Sequence, residues 1–192
     1  MQLEKAAFGM GCFWGPEALF GSLDGVIRTR VGYAGGEKED PTYDDLGGHT
    51  ETVLVEYDPE KIGYEDLLDV FWENHDFRSY RKPQYASKIF YLDQEQKDIA
   101  EVMIQNYPDA ETEIQPLENF TVAEDYHQKY RLRHSGLMEQ FEDSRNSPGV
   151  SGPPENLRFS NMSDKELRDS PLAAKANAVA AGKLDRDELD PD

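Results

Sequence analysis

Residues 9–20 read GMGCFWGPEALF and hold the only cysteine of the chain, Cys12, set between glycines with Phe13 and Trp14 behind it. A proline inside a helix loses a hydrogen bond and clashes with the preceding turn. Pro16 is therefore tolerable only in a first turn. That places the start of a helix over 13–23 at about residues 12–15 and puts Cys12 at its N-terminal end. Unpaired N–H groups and the positive end of the helix dipole favour a thiolate there. Gly9 and Gly11 let backbone approach closely and leave space for a substrate. A buried, inert cysteine is the alternative that this stretch alone leaves open.

The pattern continues outward from this point. Residues 3–9 read as a strand entering the glycines, and 25–36 (GVIRTRVGYAGG) alternate and end in glycines, as a strand does. Residues 51–58 form another strand, with Val53, Val55 and Tyr57 on one face. Residues 64–75 are helical, with Leu67, Leu68, Phe71 and Trp72 at helical spacing. Residues 87–92 are a strand, followed by a helix capped by Asp93 with Gln96 at the capping-box position. Residues 112–117 are a strand broken late by Pro116, and 121–141 read as a helical arm. Strands and helices in this order predict an α+β sandwich, one face of a mixed sheet covered by helices.

A boundary follows near residue 143. The segment EDSRNSPGVSGPPENLRFSN is rich in turn residues and reads as a linker. The division expected is a catalytic domain over 1–143 and, over 144–192, a linker with a C-terminal helical and acidic extension. Within the extension Ser163 and Glu166 make a capping box. Ser170 before Pro171 starts a further helix, which Gly182 stops. The end, LDRDELDPD, reads as a mobile acidic tail.

Composition narrows the partners. Asp and Glu number 39 against 20 Lys and Arg, a formal charge of −19. Nucleic acid and anionic membrane both need cationic surface, so neither is expected as a partner. Two readings of the acidity stay open: an ordinary acidic protein, or adaptation to a high-salt cytoplasm, where screening relieves self-repulsion. No apolar run approaches the roughly 18 residues of a membrane span, and no signal peptide is expected at the N-terminus. One cysteine excludes an internal disulfide and a thiolate zinc cluster, which fits a reducing, cytoplasmic setting. His49, His75, His127 and His134 show no zinc-ligand spacing. His49 reads as a support for the loop before Glu51, the others as structural or exposed.

The ordered series GCFWG, VGYAGG, DPTY, GHTE, YDP, FWENHD, QYASKIFY, TEIQPL and AEDYHQKY resembles the A-type peptide methionine sulfoxide reductases over about residues 6–133. SPLAAKANAVAAG resembles the C-terminal segment of some longer members. The resemblance implies a ferredoxin-like core with the catalytic cysteine at a helix N-terminus, and a thiol enzyme without metal or organic cofactor. It implies Cys12 as nucleophile, with Phe13 and Trp14 as the apolar wall for the S-methyl group. Glu51 becomes the acid on the sulfoxide oxygen, kept protonated by desolvation. Tyr43 and Tyr85 become hydroxyl donors to that oxygen. The products are methionine and a Cys12 sulfenic acid, with selectivity for the S epimer.

Two segments depart from the family pattern. The stretch between DPTY and GHTE is short. HDFRSYRKPQY is also shortened and carries no aspartate between Asp76 and Tyr85, so Arg78, Arg81 or Lys82 is expected at that rim. With no second cysteine in the chain, the sulfenic acid must be reset by an outside thiol: a low-molecular-weight thiol, a glutaredoxin or a thioredoxin. Two rivals are a thiol peroxidase, whose threonine and arginine beside the thiol are not visible here, and a non-catalytic binder of oxidised methionine.

Overall fold

The computed structural model describes residues 2–138, 159 and 162–189. Strands β1 (Glu4–Met10), β2 (Val26–Ala34), β3 (Thr50–Tyr57), β4 (Ser87–Tyr91), β5 (Glu113–Pro116) and β6 (Phe120–Val122) form one sheet in the order β5-β4-β1-β3-β2-β6. Only β4 and β5 run parallel; every other neighbouring pair is antiparallel. Helices α1 (Trp14–Ser22), α2 (Tyr64–Glu73) and α3 (Gln94–Met103) lie on one face.

Strand alternation decides which side chains meet those helices. Val53, Val55 and Tyr57 of β3 join the main core, as the sequence pattern predicts, together with Ala6, Phe8 and Met10 of β1. Phe8 stacks on Phe20 of α1 with ring centroids 5.1 Å apart and lies 5.5 Å from Phe71 of α2. Burying one such ring contributes about 1.5–3 kcal/mol. Ala7, Leu54 and Phe90 point to the other face, where Leu117 and Phe120 pack against them. β1 and β3 pair antiparallel with Phe8 opposite Val53, and this register carries the end of β1 and the start of β3 to the same end of the sheet.

The region 121–141 differs from the expected helical arm. It forms β6, a 3₁₀ turn at Asp125–His127 and the four-residue α4 (Tyr130–Arg133); residues 139–141 lie outside the described residues. The cause is competition for hydrogen bonds. The Gln128 side chain accepts from the Val31 N–H and donates to the carbonyls of Val31 and Ala123. β6 takes the free edge of β2, with Gly32 leaving room for the Thr121 carbonyl. Helical periodicity yields to these tertiary bonds.

The Asp93 cap is present, its carboxylate accepting from the Gln96 N–H. The reciprocal half of the capping box is not. Gln96 instead accepts from the Leu92 N–H and donates to the Lys5 carbonyl, tying α3 to β1.

At the C-terminal end the sequence reading holds more closely. Ser163 and Glu166 form the capping box of α5 (Asp164–Asp169), and Ser170 caps α6 (Pro171–Ala180), with Pro171 in its first turn. Gly182 terminates it with a φ of 67°, where a glycine avoids the strain of a side chain. The linker reading falls on residues that, Phe159 apart, lie outside the described residues. Phe159, Leu167, Ala173, Ala176 and Leu189 pack with Leu132 of α4 in a second cluster. Leu189 is therefore buried within a 3₁₀ turn, Arg186–Leu189, rather than part of a mobile tail; residues 190–192 are outside the described set.

α6 approaches α1 so closely that a Cβ on Gly21 would sit 2.7 Å from the Ala174 carbonyl oxygen. Gly21→Ala should lower stability by about 1–3 kcal/mol through overpacking, despite a gain of about 1 kcal/mol in helix propensity. Thermal unfolding of the two proteins checks this; an equal or higher melting temperature would refute so tight a contact.

Candidate active site

Cys12 immediately precedes α1, for which Phe13 is the N-cap. Gly11 holds a φ of 84° with open space where a Cβ would be, and Gly9 is crowded by Thr50 and the Ala86 carbonyl. Gly9 thus admits the close approach expected of it, and Gly11 is required by its positive φ. The thiol is exposed and sits in a recess of about 280 Å³ whose walls include Gly11, His75, Asp76, Arg81 and Tyr85.

Glu51, on β3, is buried beside it, with 1% of its surface exposed. Its Oε2 accepts from the Phe13 N–H at 3.1 Å and its Oε1 from the Gln84 amide at 2.8 Å. Burial pushes its pKa above the usual carboxylate value, against the pull of those two hydrogen bonds and of Lys82. A carboxyl so placed holds its proton closer to neutrality than an exposed one.

The helix start does less for Cys12 than the sequence argument expected. Desolvation of the recessed thiol is the largest influence and raises its pKa; a hydrogen bond from the Trp14 N–H lowers it, the Glu51 charge raises it and Arg131 lowers it. The net direction is upward. The resting sulfur is therefore a thiol, and ionising it is easiest when Glu51 is neutral.

Tyr43 and Tyr85 lie together, both half-buried. The Tyr85 hydroxyl is pushed up to about 12 by desolvation, by Glu51 and by a hydrogen bond with Tyr43, so it remains a proton donor at neutral pH. The Tyr43 N–H donates to Glu124 Oε1 at 3.0 Å, while the Tyr33 hydroxyl donates to the other oxygen at 2.6 Å. Trp14 is half-buried, its indole stacked 3.6 Å from the Tyr130 ring with 5° between planes. Phe13 does not share that surface. It is 1% exposed and packs under the site with Val31, Tyr33 and Ala123; its backbone amide, not its ring, meets Glu51.

Several participants were not singled out from sequence. His127 accepts the Trp14 indole N–H on Nδ1 at 3.2 Å, and its ring lies 4.7 Å from that of Tyr43. Burial lowers its pKa, against the charge of Glu124, so the ring is neutral and its Nδ1 lone pair is free to accept. The motif AEDYHQKY contained His127, Glu124 and Tyr130, yet nothing in local spacing links them to residue 14. Gln84 was adjacent to Tyr85 in PQY. Of the cations expected at the rim, Arg81 lines the recess, 3.4 Å from Asp76, Lys82 lies over the Tyr85 ring, and Arg78 covers Phe77 instead. His49 does support its loop, bonding the Lys38 carbonyl at 2.8 Å. Among the described residues no group of three His, Cys, Asp or Glu is placed to hold a metal ion, and no helix is long and apolar enough to cross a membrane.

Cys12, the buried Glu51 carboxyl and the Tyr43 and Tyr85 hydroxyls gather beside the Trp14–Tyr130 stack of an α+β fold, an arrangement suited to thiol chemistry. The family model for peptide methionine sulfoxide reductase matches residues 4–149. The chain is 44% identical over 186 residues to the peptide methionine sulfoxide reductase of Drosophila melanogaster, covering 92% of this chain and 68% of that one. It is 42% identical over 153 residues to the enzyme MsrA of Methanococcus maripaludis, covering 72% and 98%. Among solved structures, methionine sulfoxide reductase A of Corynebacterium diphtheriae superposes with a TM-score of 0.61 at 31% identity over 80% of this chain and 84% of that one. Reduced Mxr1 of Saccharomyces cerevisiae gives 0.61 at 26%, over 79% and 90%. The chain belongs to the peptide methionine sulfoxide reductase family.

The opposition between Glu51 and the thiolate is measurable, because the chain has one cysteine. Alkylation of Cys12 by iodoacetamide should show its midpoint above that of a free cysteine. Glu51→Gln should move the midpoint to lower pH, since the carboxylate charge that opposes the thiolate is gone. A midpoint left in place would show that the two groups do not sense each other.

Proposed function

We propose that this methionine sulfoxide reductase works through Cys12 as nucleophile, with Glu51 as its acid. The observation that carries the reading is the buried Glu51 carboxyl held at the start of the cysteine's helix by the Phe13 N–H. Glu51 carries the proton and Cys12 the negative charge in the reactive form, which has the same number of protons as the resting thiol and carboxylate. The thiolate attacks the sulfoxide sulfur while Glu51 gives its proton to the oxygen. Tyr43 and Tyr85 donate hydrogen bonds to that oxygen as charge grows on it. The protonated oxygen then leaves the substrate sulfur and bonds to the Cys12 sulfur while the sulfur–sulfur bond formed in the attack breaks, its electron pair going to methionine; Cys12 becomes a sulfenic acid and methionine leaves. Trp14 is the wall for the methyl group, with Phe13 as the floor that supports it. Methyl, oxygen and chain are thereby held on three sides of sulfur, which favours the S epimer.

The sulfenic acid is attacked by an external thiol, giving a mixed disulfide and water; a second thiol releases Cys12 as a thiol and leaves as the oxidised disulfide. A small thiol, a glutaredoxin or a thioredoxin all satisfy this chemistry. The 192 residues contain no second cysteine, which supports reset from outside. We place the reaction in the cytoplasm, where thiol donors are kept reduced. The strand order β4-β1-β3-β2, with α1 and α2 on one face, supports a ferredoxin-like core. Residues 1–143 form the catalytic domain in this reading, and 144–192 a linker and a helical extension. The packing of α6 against Gly21 of α1 supports an extension docked on that domain.

In a single turnover with excess methionine-S-sulfoxide and no thiol, the enzyme should release one methionine and gain one oxygen on Cys12. Cys12→Ser should retain less than about one per cent of turnover, because a serine hydroxyl is a far weaker nucleophile at neutral pH. Glu51→Gln should slow methionine release by about a hundredfold, the usual range for a general acid. Equal release rates for Glu51→Gln and wild type would remove Glu51 from the chemistry, and a Cys12 that stays unoxidised after release would overturn the mechanism.

A further inference from the structure

Lys129 is an unusual residue that the chemistry above does not use. It is the one described residue other than glycine with a positive φ, 53°, and it is fully buried. A left-handed backbone in such a residue persists only where the surroundings enforce it. Its Nζ donates to Glu17 Oε1 at 2.7 Å, to the Thr29 carbonyl at 2.7 Å and to the Arg168 carbonyl at 3.1 Å. Its own N–H donates to Glu17 Oε2 at 2.8 Å. All three ammonium hydrogens are used. Two of the acceptors belong to α1 and β2, but the third is supplied by α5 of the C-terminal segment.

The residues on either side of Lys129 hold the active-site indole. Tyr130 stacks on Trp14, and His127 accepts its N–H. The C-terminal segment is fastened over this turn at independent points. Asn177 accepts from the Leu132 N–H at 2.9 Å, Asp169 from Arg30 at 2.6 Å, and Lys175 donates to the Leu23 carbonyl at 2.6 Å. If α5 lifted away, the ammonium would lose one of its three acceptors and its enclosure from water. The turn would relax from its left-handed conformation, and His127 and Tyr130 would shift off the indole together.

We propose that Lys129 is a positioning residue through which the docked C-terminal helices fix the Trp14 indole, so that residues 162–189 set how strictly the enzyme recognises the methyl group of its substrate. The consequence for recognition rests on the reading of Trp14 as the methyl wall; the positioning itself does not.

The full-length chain carrying Trp72→Phe leaves Trp14 as the sole tryptophan. In that background Lys129→Met and, separately, Asn177→Ala should red-shift Trp14 emission and make it more strongly quenched by acrylamide. The ratio of kcat/KM for methionine sulfoxide over ethionine sulfoxide should fall at least about fivefold, within the range that one methylene is worth in a fitted pocket. Lys129→Met leaves Glu17 buried without its partner, so Glu17→Gln/Lys129→Met is the control. It should regain much of the melting temperature without restoring the protection of Trp14. Wild-type quenching in folded Lys129→Met or in the double variant would overturn the positioning role, leaving the ion pair as structural support alone. Trp14→Phe with wild-type discrimination would instead overturn the methyl-wall reading, and the quenching result would still decide the positioning role.

Discussion

The hydrogen bond from the Phe13 amide to the Glu51 carboxylate joins the start of a helix to the start of a strand, and the site depends on it. The bond requires β1 and β3 to be antiparallel neighbours in one register, with Phe8 opposite Val53. It also requires Gly9 to let Thr50 and the backbone of Ala86 come close. Glu51 is then deep enough for burial to raise its pKa, yet bonded well enough at both oxygens to remain there. An unbonded carboxyl at that depth would be a far heavier burden on the fold.

The same proximity explains why the thiol is not ionised at rest. A carboxylate beside a half-enclosed sulfur opposes a second negative charge, and desolvation adds to it. The helix start and Arg131 act in the other direction but do not prevail. A neutral thiol is slow to react with oxidants in the absence of substrate. In the mechanism proposed above, activation accompanies the movement of one proton within the pair, which suits a reaction whose first need is a protonated oxygen.

Around this pair the fold assembles a wall from distant parts of the chain. Trp14 comes from α1, His127 and Tyr130 from the turn after β6, and Tyr43 from the loop between β2 and β3, held by Glu124. The turn after β6 is braced from below by the buried Glu17–Lys129 pair, both side chains fully enclosed. Removing one partner of such a pair is expected to cost about 3–5 kcal/mol, so the brace is stiff. Arg81 lines the recess paired with Asp76, and Lys82 lies over the Tyr85 ring beside it.

The sequence by itself determined what short-range physics controls. Pro16 set the helix start and hence the place of Cys12; alternation set the inner face of β3; Ser163, Ser170 and Gly182 set the ends of α5 and α6. The short segments DPTY, GHTE and PQY gave Tyr43, Glu51 and Tyr85 as candidates through resemblance. Tertiary structure decided what depends on competition between distant partners. The helical pattern of 121–141 gave way because Gln128 and the edge of β2 offered better hydrogen bonds than a continued helix. Gln96 left its cap for the Lys5 carbonyl for the same kind of reason. The side chain of Phe13 went inward because its backbone amide was held by Glu51 while Val31, Tyr33 and Ala123 surrounded its ring. The direction of the Cys12 shift could not be read locally either, since a helix start favours a thiolate, whereas the burial and the neighbouring carboxylate that outweigh it exist only once β3 lies alongside.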